Sequence, residues 1–263
     1  MYNMLRKFSI IGLSTIIVLS SFGTLETRIN KVDRVVIDAG HGGKDPGTHG
    51  NISQEKDVAL KIAIKLGQTI EKYLPDVEVI YTRDDDNFVE LEGRAYIANK
   101  NGADLFISIH CNAVSNSKIF GTETYVMGLD KAEGNLSVAQ KENSVIFLED
   151  NYESKYEGFD PTSPESMILL TLQQTAYQEN SLDLAAKIEK QFQERVGRSS
   201  RGVKMAPFWV LWRTSMPSVL VETGYLTNSN EETDLNDPLK QEYIASGIFR
   251  AFRDYKEAID SMN

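Results

Sequence analysis

Four short apolar runs place the strongest constraint on the fold of this chain. They read VVID, VEVIYT, LFISIH and SVLVE, and they occupy residues 35–38, 77–82, 105–110 and 218–222. Three of them are apolar without alternation, which indicates strands that are covered on both faces. Such strands are typical of a parallel sheet that lies between two layers of helices.

Helical patterns separate these runs. Apolar residues recur at every fourth position from Val58 to Leu74, and two further periodic segments begin at Leu184 and Ile244. The alternation predicts the α/β class, with a single domain whose mostly parallel, twisted sheet is flanked by helices. Glu55 precedes Val58 by three positions and therefore falls on the inward face of its helix. An acid that faces the core requires a partner.

The amino-terminal segment has the pattern of a secretory leader. Two basic residues precede an apolar run from Phe8 to Leu19, and small residues follow it. About a dozen apolar residues fall short of the ~20 that a membrane span needs. We therefore predict a signal peptide at residues 1–23 and a mature domain at 24–263, secreted or periplasmic, with no stable membrane span.

The net charge limits the classes of partner, and the cysteine content limits the role of disulfides. The chain has a net charge of −10, which argues against nucleic acid as a partner. Its one cysteine, Cys111, cannot form an intramolecular disulfide. The fold therefore depends on its core and not on cross-links.

The segment 129–180 interrupts the alternation of strands and helices. It follows a predicted strand at 121–127 and is rich in Glu, Asn, Ser and Tyr. Because a segment of about fifty residues is too long for an ordinary connection, we expect a helical or irregular insertion. It would act either as a regulatory lid or as a passive wall of a groove. Ser163 and Pro164 are typical of a helix start within it.

Polar residues mark the carboxyl ends of three predicted strands. His41 follows the first strand, whereas His110 and Glu222 end two others. Since parallel strands end at one edge of a sheet, these side chains should lie together, and Glu55 begins the helix that leaves the same edge. Two imidazoles and one carboxylate with an open fourth position form the His₂Glu arrangement of a catalytic zinc site.

Each of these residues also has a role that needs no metal. The GHGG segment could form an anion-binding nest, and Glu55 could simply favour the helix dipole. Glu222 could pair with Arg83 or Arg94, although we expect both arginines to stabilise loops. The joint position of the residues at one sheet edge favours the zinc site.

Six motifs in this chain resemble those of one enzyme family. In chain order they read IDAGHGGKDPGTHG, EKDVAL, YTRDDD, ISIHCNA, GTETY and PSVLVETGYLTN, and the resemblance spans residues 33–256. Together they resemble the zinc-dependent N-acetylmuramoyl-L-alanine amidases of bacterial cell-wall turnover.

The resemblance implies roles for the residues of the predicted site. His41, Glu55 and His110 match the ligands of one Zn²⁺ ion, and Glu222 matches the catalytic glutamate. The implied substrate is the peptidoglycan amide that joins the lactyl group of N-acetylmuramic acid to L-alanine. The family often has proline before GHGG where this chain has Ala39, a difference that touches no ligand.

The resemblance also suggests a use for the insertion. Some relatives hold a helix over the zinc, with a glutamate in the open coordination position until a partner protein withdraws it. Glu142 is our candidate for this autoinhibitory glutamate, with Glu149 as the second choice. An activator protein that acts on residues 129–180 is the implied partner.

Other residues near the site have simpler expected roles. Asn112 is a candidate to hydrogen-bond the substrate or the metal ligands. Cys111 should point away from His110 and be buried, because neighbours on a strand face opposite sides. His49 is expected in a solvated loop. The aromatic segment PFWVLW, residues 207–212, has strand-like spacing and is expected in the core.

The sequence therefore predicts a zinc amidase that acts on peptidoglycan, in cell-wall turnover or daughter-cell separation. Two alternatives stay open. One is a zinc carboxypeptidase or endopeptidase on wall peptides, because the same residues can hydrolyse a peptide bond. The other is a non-catalytic peptidoglycan-binding regulator, which the joint presence of three ligands and Glu222 disfavours.

Overall fold

The structure is a computed structural model that describes residues 31–130, 133–171 and 177–262. One β-sheet forms the centre of this part of the chain. The six strands found there are β1 (Arg34–Ala39), β2 (Glu78–Tyr81), β3 (Leu105–Asn112), β4 (Thr122–Met127), β5 (Ser200–Ala206) and β6 (Ser218–Tyr225). They lie in the order β2-β1-β3-β6-β4-β5. The signal peptide predicted at residues 1–23 lies outside the described residues.

Helices connect the strands and cover both faces of the sheet. They are α1 (Glu55–Tyr73), α2 (Leu91–Lys100), α3 (Glu133–Asn143), α4 (Tyr152–Lys155), α5 (Pro164–Thr171), α6 (Gln178–Gln191), α7 (Trp209–Trp212), α8 (Ser229–Asn236) and α9 (Pro238–Ser261). A 3₁₀ turn (Ser144–Leu148) continues α3, and a π-helical turn (Phe192–Val196) continues α6. Within the described residues, none of these helices combines the length and apolarity that a membrane crossing requires.

The strand directions determine which strand ends meet at one edge of the sheet. β1, β2, β3 and β6 are mutually parallel, which confirms the mostly parallel α/β sheet. β4 runs antiparallel to β6, and β5 is parallel to β4. The starts of β4 and β5 therefore lie beside the ends of β1, β3 and β6. We call this edge the site rim.

Each face of the sheet buries its own apolar core. On one face, residues such as Ile107 and Val219 pack with α1, α6 and α9. On the other, residues such as Phe106 and Leu220 pack with α2, α7 and the insertion. Because strand residues alternate between faces, His110 shares the second face with Phe106.

The described residues of the insertion predicted at 129–180 form a packed helical layer. Its side chains contribute to the core of the second face through Val138, Ala139, Val145, Ile146, Met167 and Leu170. At the end of α3, the Asn143 amide accepts a hydrogen bond from the Trp209 N–H and donates one to the Pro207 carbonyl, both at 2.8 Å. A deletion within this layer would therefore expose the core, which makes point substitutions the better test of its function.

The predicted elements are confirmed with local differences. α5 begins at Pro164, and the Ser163 hydroxyl accepts a hydrogen bond from the Ser166 N–H at 3.3 Å, as expected for a helix start. The strand-like interpretation of residues 207–212 is wrong, because this segment contains α7. The core role is confirmed for Phe208 and Trp209, which are buried, whereas Trp212 is partly buried against the same core.

Two elements had no clear sequence signal. α2 buries Arg94 on its inward face, where an apolar residue would have marked the helical period. β5 is an edge strand with the sequence SRGVKMA, whose charges and glycine are typical of edges and hide the strand pattern.

Candidate metal centre and active site

The loop after β1 presents His41 with an uncommon backbone conformation. Its φ is 60°, and the next residues, Gly42 and Gly43, have φ values of 123° and 56°. A positive φ is uncommon for a residue other than glycine and costs about 1–3 kcal/mol, so surrounding contacts must hold it. The glycines absorb the rest of the turn.

Two arginines provide those contacts. Arg94 donates from Nη2 to the carbonyl oxygen of His41 at 2.7 Å, and Arg83 donates from Nη2 to the carbonyl oxygen of Gly40 at 2.6 Å. Both arginines are buried. Their predicted role in stabilising loops is confirmed, and neither is paired with Glu222.

An internal ion pair fixes Arg94 in turn. Its Nη1 lies 2.8 Å from Oδ1 of Asp38. The Thr82 hydroxyl donates to the same oxygen and the Ser108 hydroxyl donates to Oδ2, both at 2.6 Å. Burial disfavours the charged carboxylate. Arg94 and the two hydroxyls outweigh burial and hold the pKa of Asp38 below its usual value. The loop that carries His41 is therefore tied to the centre of the sheet.

The imidazole of His41 is oriented by Asp45. Its Nδ1 lies 2.6 Å from Oδ2 of Asp45, and because a carboxylate only accepts, Nδ1 carries the hydrogen. The lone pair is left on Nε2, which lies 3.1 Å from Oε1 of Glu55 and 3.1 Å from Oε2 of Glu142. A carboxylate behind a histidine is the usual support of a metal ligand.

Glu55 begins α1 and is fully buried, as its inward position predicts. Its Oε2 accepts a hydrogen bond from the Thr48 N–H at 2.8 Å, and its Oε1 accepts one from the Cys111 N–H at 2.9 Å. Oε1 also lies 2.9 Å from Nδ1 of His110. Two backbone donors therefore hold the carboxylate against the imidazole.

His110 packs closely against the loop after β1. A Cβ atom on Gly40 would fall within 2.8 Å of its ring nitrogen Nδ1. Any side chain at position 40 would therefore displace the imidazole. The glycine before His41 is required by this contact with the second histidine.

A fourth residue reaches this cluster from the insertion. Oε2 of Glu142, on α3, lies 3.1 Å from Nδ1 of His110 and 3.1 Å from Nε2 of His41. The ligand atoms of His41, Glu55, His110 and Glu142 lie within 4.8 Å of one another, and all four residues are buried. We call these four residues the metal cluster.

The metal cluster fits a zinc ion. Nε2 of His41 and Oε2 of Glu142 are buried, and no partner in the described residues gives either a well-formed hydrogen bond. Tetrahedral zinc with bonds of about 2.0–2.1 Å would separate its ligand atoms by roughly 3.3 Å. The four nitrogen–oxygen distances in the cluster are 2.9–3.1 Å.

The charges around the metal cluster favour a cation. Burial disfavours a charged His110, but the carboxylates of Glu142 and Glu55 outweigh burial and raise the pKa of His110 to about 9. The same balance raises the pKa of His41 well above its usual value. The negative charge of the two carboxylates, which raises these pKa values, also attracts a divalent metal ion, and the metal ion displaces the protons when it binds.

Glu222 lies beside the metal cluster on β6. It is in register with His110 on the neighbouring strand, so the two side chains lie on the same face of the sheet. Glu222 is fully buried, and neither carboxylate oxygen has a hydrogen-bond partner in the described residues. Burial and the charges of Glu142 and Glu55 raise its pKa well above the usual value. Such a carboxylate is suited to take up and release a proton.

Comparison with known proteins assigns the family. Residues 35–254 match the Amidase_3 family, which is described as N-acetylmuramoyl-L-alanine amidase. The chain belongs to this amidase family. AmiA of Escherichia coli (strain K12) is 34% identical over 230 residues, which cover 86% of this chain and 77% of AmiA.

Solved structures agree with this family. The N-acetylmuramoyl-L-alanine amidase from Clostridium difficile 630 is 28% identical to this chain, with a TM-score of 0.65. The match covers 87% of this chain and 98% of the Clostridium difficile chain. The CwlD amidase from Clostridioides difficile, solved in complex with the GerS lipoprotein, is 26% identical, with a TM-score of 0.64 and coverage of 86% and 99%. The resemblance, the enzyme class and the fold class predicted for this amidase are thereby confirmed.

The amidase fold brings together the predicted ligands, the predicted catalytic glutamate and Glu142. Glu149 lies elsewhere. Its Oε1 accepts a hydrogen bond from the Leu91 N–H at the start of α2, and its Oε2 accepts one from the Tyr156 hydroxyl, both at 2.8 Å. Only the first choice for an inhibitory glutamate therefore faces the metal cluster.

Asn112, predicted to contact substrate or ligands, is 1% exposed. Its Nδ2 donates to Oε2 of Glu123 at 3.2 Å, and its Oδ1 accepts from the Ala113 N–H at 2.7 Å. These contacts are within the protein, so a contact with substrate stays a prediction. Cys111 is fully buried on the opposite face and His49 is exposed, as expected.

Three residues around the site were not identified from the sequence. Asp45 has a readable signal, an acid four positions after a histidine in a glycine-rich loop. Lys141 is adjacent to Glu142, and its Nζ lies 3.3 Å from Oε1 of that residue. Glu123 is adjacent to Glu222 only through the register of β4 with β6, which no local pattern predicts.

Proposed function

We propose that this amidase hydrolyses the peptidoglycan amide between the lactyl group of N-acetylmuramic acid and L-alanine, with one zinc ion held by His41, Glu55 and His110. The convergence of these side chains beside Glu222, whose carboxylate has no hydrogen-bond partner in the described part of the chain, carries the proposal. Membership of the family supports the same bond. A zinc ion held there would supply the chemistry that activates water and polarises the scissile carbonyl.

The protein's own groups hold and move the proton. Glu222 accepts a proton from the attacking water and donates it to the nitrogen of the departing L-alanine. Its burial excludes bulk water from this transfer. Asp45 keeps the proton of His41 on Nδ1, and two backbone N–H groups hold Glu55. The site is therefore preorganised before substrate arrives.

We also propose that α3 holds the enzyme in an inhibited state. A catalytic zinc site has three protein ligands and one position for water or substrate. Glu142 supplies a carboxylate as a fourth ligand, within 3.1 Å of both imidazoles, and it is 5% exposed. A carboxylate in this place competes with substrate for the remaining position.

Lys141 stabilises this closed arrangement through its charge. Its Nζ lies 3.3 Å from Oε1 of Glu142 and 3.9 Å from Oε2 of Glu55, and it donates to the Thr48 hydroxyl. Burial lowers its pKa, but the nearby carboxylates outweigh burial and raise it above the usual value. Lys141 therefore stays charged and offsets the repulsion between the clustered acids.

Release of α3 is proposed to need a partner protein. The hydrogen bonds of Asn143 to residues 207 and 209 anchor the end of α3, so release must break them. A related amidase, CwlD, was solved in complex with the GerS lipoprotein, which supports a protein partner. The predicted leader supports a location in the cell envelope, where the enzyme would act in wall turnover or daughter-cell separation.

Analysis of the products tests the proposed reaction. Purified sacculi are digested with the zinc-loaded protein and its Glu142→Ala variant, and the soluble fraction is analysed by mass spectrometry. We expect intact stem peptides with free amino-terminal L-alanine, no release after chelation, and recovery with zinc. Cleavage inside the stem peptide would instead identify a carboxypeptidase or endopeptidase. Absence of cleavage by both zinc-loaded forms would leave the non-catalytic alternative.

A further inference from the structure

A row of polar side chains crosses four adjacent strands at the site rim. His110 on β3 is in register with Glu222 on β6, and Glu222 is in register with Glu123 on β4. Side chains in register on neighbouring strands share one face of the sheet. Arg201 and Lys204 of β5 continue the row, because both contact Oε1 of Glu123.

The row extends from the metal cluster to the edge of the sheet. Neighbouring strands lie ~4.8 Å apart, so β5 is about 10 Å from the strand of Glu222. An extended peptide advances ~3.3 Å per residue. A stem peptide that leaves the scissile amide along this row would reach β5 with its third residue. Because the cations of Arg201 and Lys204 extend to Glu123 on β4, one strand closer, the side chain of its second residue would lie beside them.

The outer end of the row has a surplus of positive charge. One carboxylate, Glu123, faces the two cations of Arg201 and Lys204 and also accepts hydrogen bonds from the hydroxyls of Tyr125 and Tyr225, both at 2.7 Å. This surplus stands out in a chain with a net charge of −10. It indicates a place that favours an anion.

The side chains of Arg201 and Lys204 are accessible to solvent, whereas that of Glu123 is not. The side chains of Arg201 and Lys204 are 39% and 21% exposed, and that of Glu123 is 2% exposed. Arg201 contacts Glu123 through Nε at 2.7 Å. The terminal nitrogens of its guanidinium, whose fork matches a carboxylate, are not the atoms that bond Glu123.

We propose that Arg201 and Lys204, held by Glu123, form a subsite for the free carboxylate of an acidic residue that follows L-alanine in the stem peptide. This inference rests on the proposed function and specifies its substrate. The amidase would then prefer stems whose second residue is acidic over stems in which that carboxylate is amidated. Glu123 acts as a positioning residue that holds the two cations on the substrate side.

Two muramoyl tripeptides test the subsite directly. They are identical except that the second residue is D-glutamate in one and D-isoglutamine in the other. Cleavage is followed by chromatography with the zinc-loaded wild type and in the Glu142→Ala background. We expect a kcat/KM that is roughly 10- to 100-fold higher for the carboxylate, the range of one charge-assisted hydrogen bond. Arg201→Met and Lys204→Met should each reduce this preference, chiefly through KM.

Arg34→Met is the matched control. The Arg34 side chain is 38% exposed, and its Nε lies 2.7 Å from Oε2 of Glu78. However, Arg34 is the first residue of β1 and therefore lies at the end of the strand away from the site rim. This variant should keep the preference. Arg201→Lys, which retains the charge, should keep part of it, and thermal unfolding of each variant separates loss of the subsite from loss of the fold.

Binding of the free peptides separates this inference from the proposed function. Isothermal titration calorimetry with the two released tripeptides should show weaker binding of the amidated peptide, and the Arg201→Met variant should bind both equally. That result without cleavage of either substrate would reject the amidase reaction and keep the subsite. Equal cleavage and equal binding of both peptides by the wild type, or a preference unchanged in both methionine variants, would overturn the subsite.

Discussion

Oε2 of Glu142 lies 3.1 Å from Nδ1 of His110, although one residue belongs to the insertion and the other to the central strand β3. This contact connects the insertion with the metal cluster. Any movement of α3 must therefore change the surroundings of the metal ligands. The insertion and the catalytic site cannot be treated as independent.

Glu142→Ala should increase the basal activity of the zinc-loaded enzyme. Loss of a contact between charged groups, worth about 1.5–3 kcal/mol, corresponds to a gain of roughly 10-fold or more if closure limits the rate. Release of dye-labelled fragments from sacculi measures the effect. Glu153→Ala, which removes an exposed acid from α4, is the control and should have no effect. Equal rates for Glu142→Ala and the wild type would contradict autoinhibition.

Glu222→Gln should abolish turnover while leaving the metal in place. The amide has nearly the shape of the carboxylate but cannot accept the proton, so a loss of about 10²- to 10⁴-fold in kcat is expected. Zinc content, measured by atomic absorption, should equal that of the wild type because Glu222 is outside the metal cluster. Retained turnover would remove the proposed base.

Asp45→Asn should weaken metal binding without unfolding the protein. The amide cannot fix the proton of His41 on Nδ1 as the carboxylate does, and loss of such support typically costs about 10- to 100-fold in metal affinity. Competition with a zinc-sensitive dye measures the change. Asp57→Asn, an exposed acid in the first turn of α1, is the control and should bind zinc normally. Unchanged affinity in Asp45→Asn would show that His41 needs no such support.

Arg94→Met should destabilise the fold by about 3–5 kcal/mol, because it leaves the buried carboxylate of Asp38 without its counter-ion. Urea unfolding of the metal-free protein at neutral pH measures the loss. Lys187→Met removes an ion pair of partly exposed side chains and should cost less than about 1 kcal/mol. A similar cost for both variants would contradict the importance of the internal pair.

The pH dependence of stability tests the same pair. The folded-state pKa of Asp38 lies below its usual value, so its contribution is present above ~3.9 and is lost as the pH falls through the folded-state value. The difference in unfolding free energy between the wild type and Arg94→Met should therefore shrink on acidification below about pH 4. A difference that stays constant would mean that Asp38 is not charged in the native state.

The metal ligands and the catalytic base can be predicted from the sequence for a physical reason. His41, His110 and Glu222 each stand at the end of a buried apolar strand, and parallel strands end at one edge. Glu55 can be predicted because an acid on the apolar face of a helix needs a partner. In these cases local pattern and topology point to the same place.

The rest of the site depends on contacts that no local pattern contains. Glu123 and Arg201 join the site rim only because β4 runs antiparallel to β6 and β5 pairs with β4. The charge of Arg94 concealed α2, although its partner Asp38 makes its burial favourable. The resemblance and the length of the insertion indicate Glu142, but its distance to the histidines depends on the packing of α3.

Anomalous diffraction at the zinc absorption edge, from crystals grown with zinc, tests the central claim most directly. We predict one strong peak within bonding distance of Nε2 of His41, Nδ1 of His110 and a carboxylate oxygen of Glu55. A map without a peak there, or with zinc bound only at other residues, would contradict the metal centre and the hydrolytic mechanism built on it.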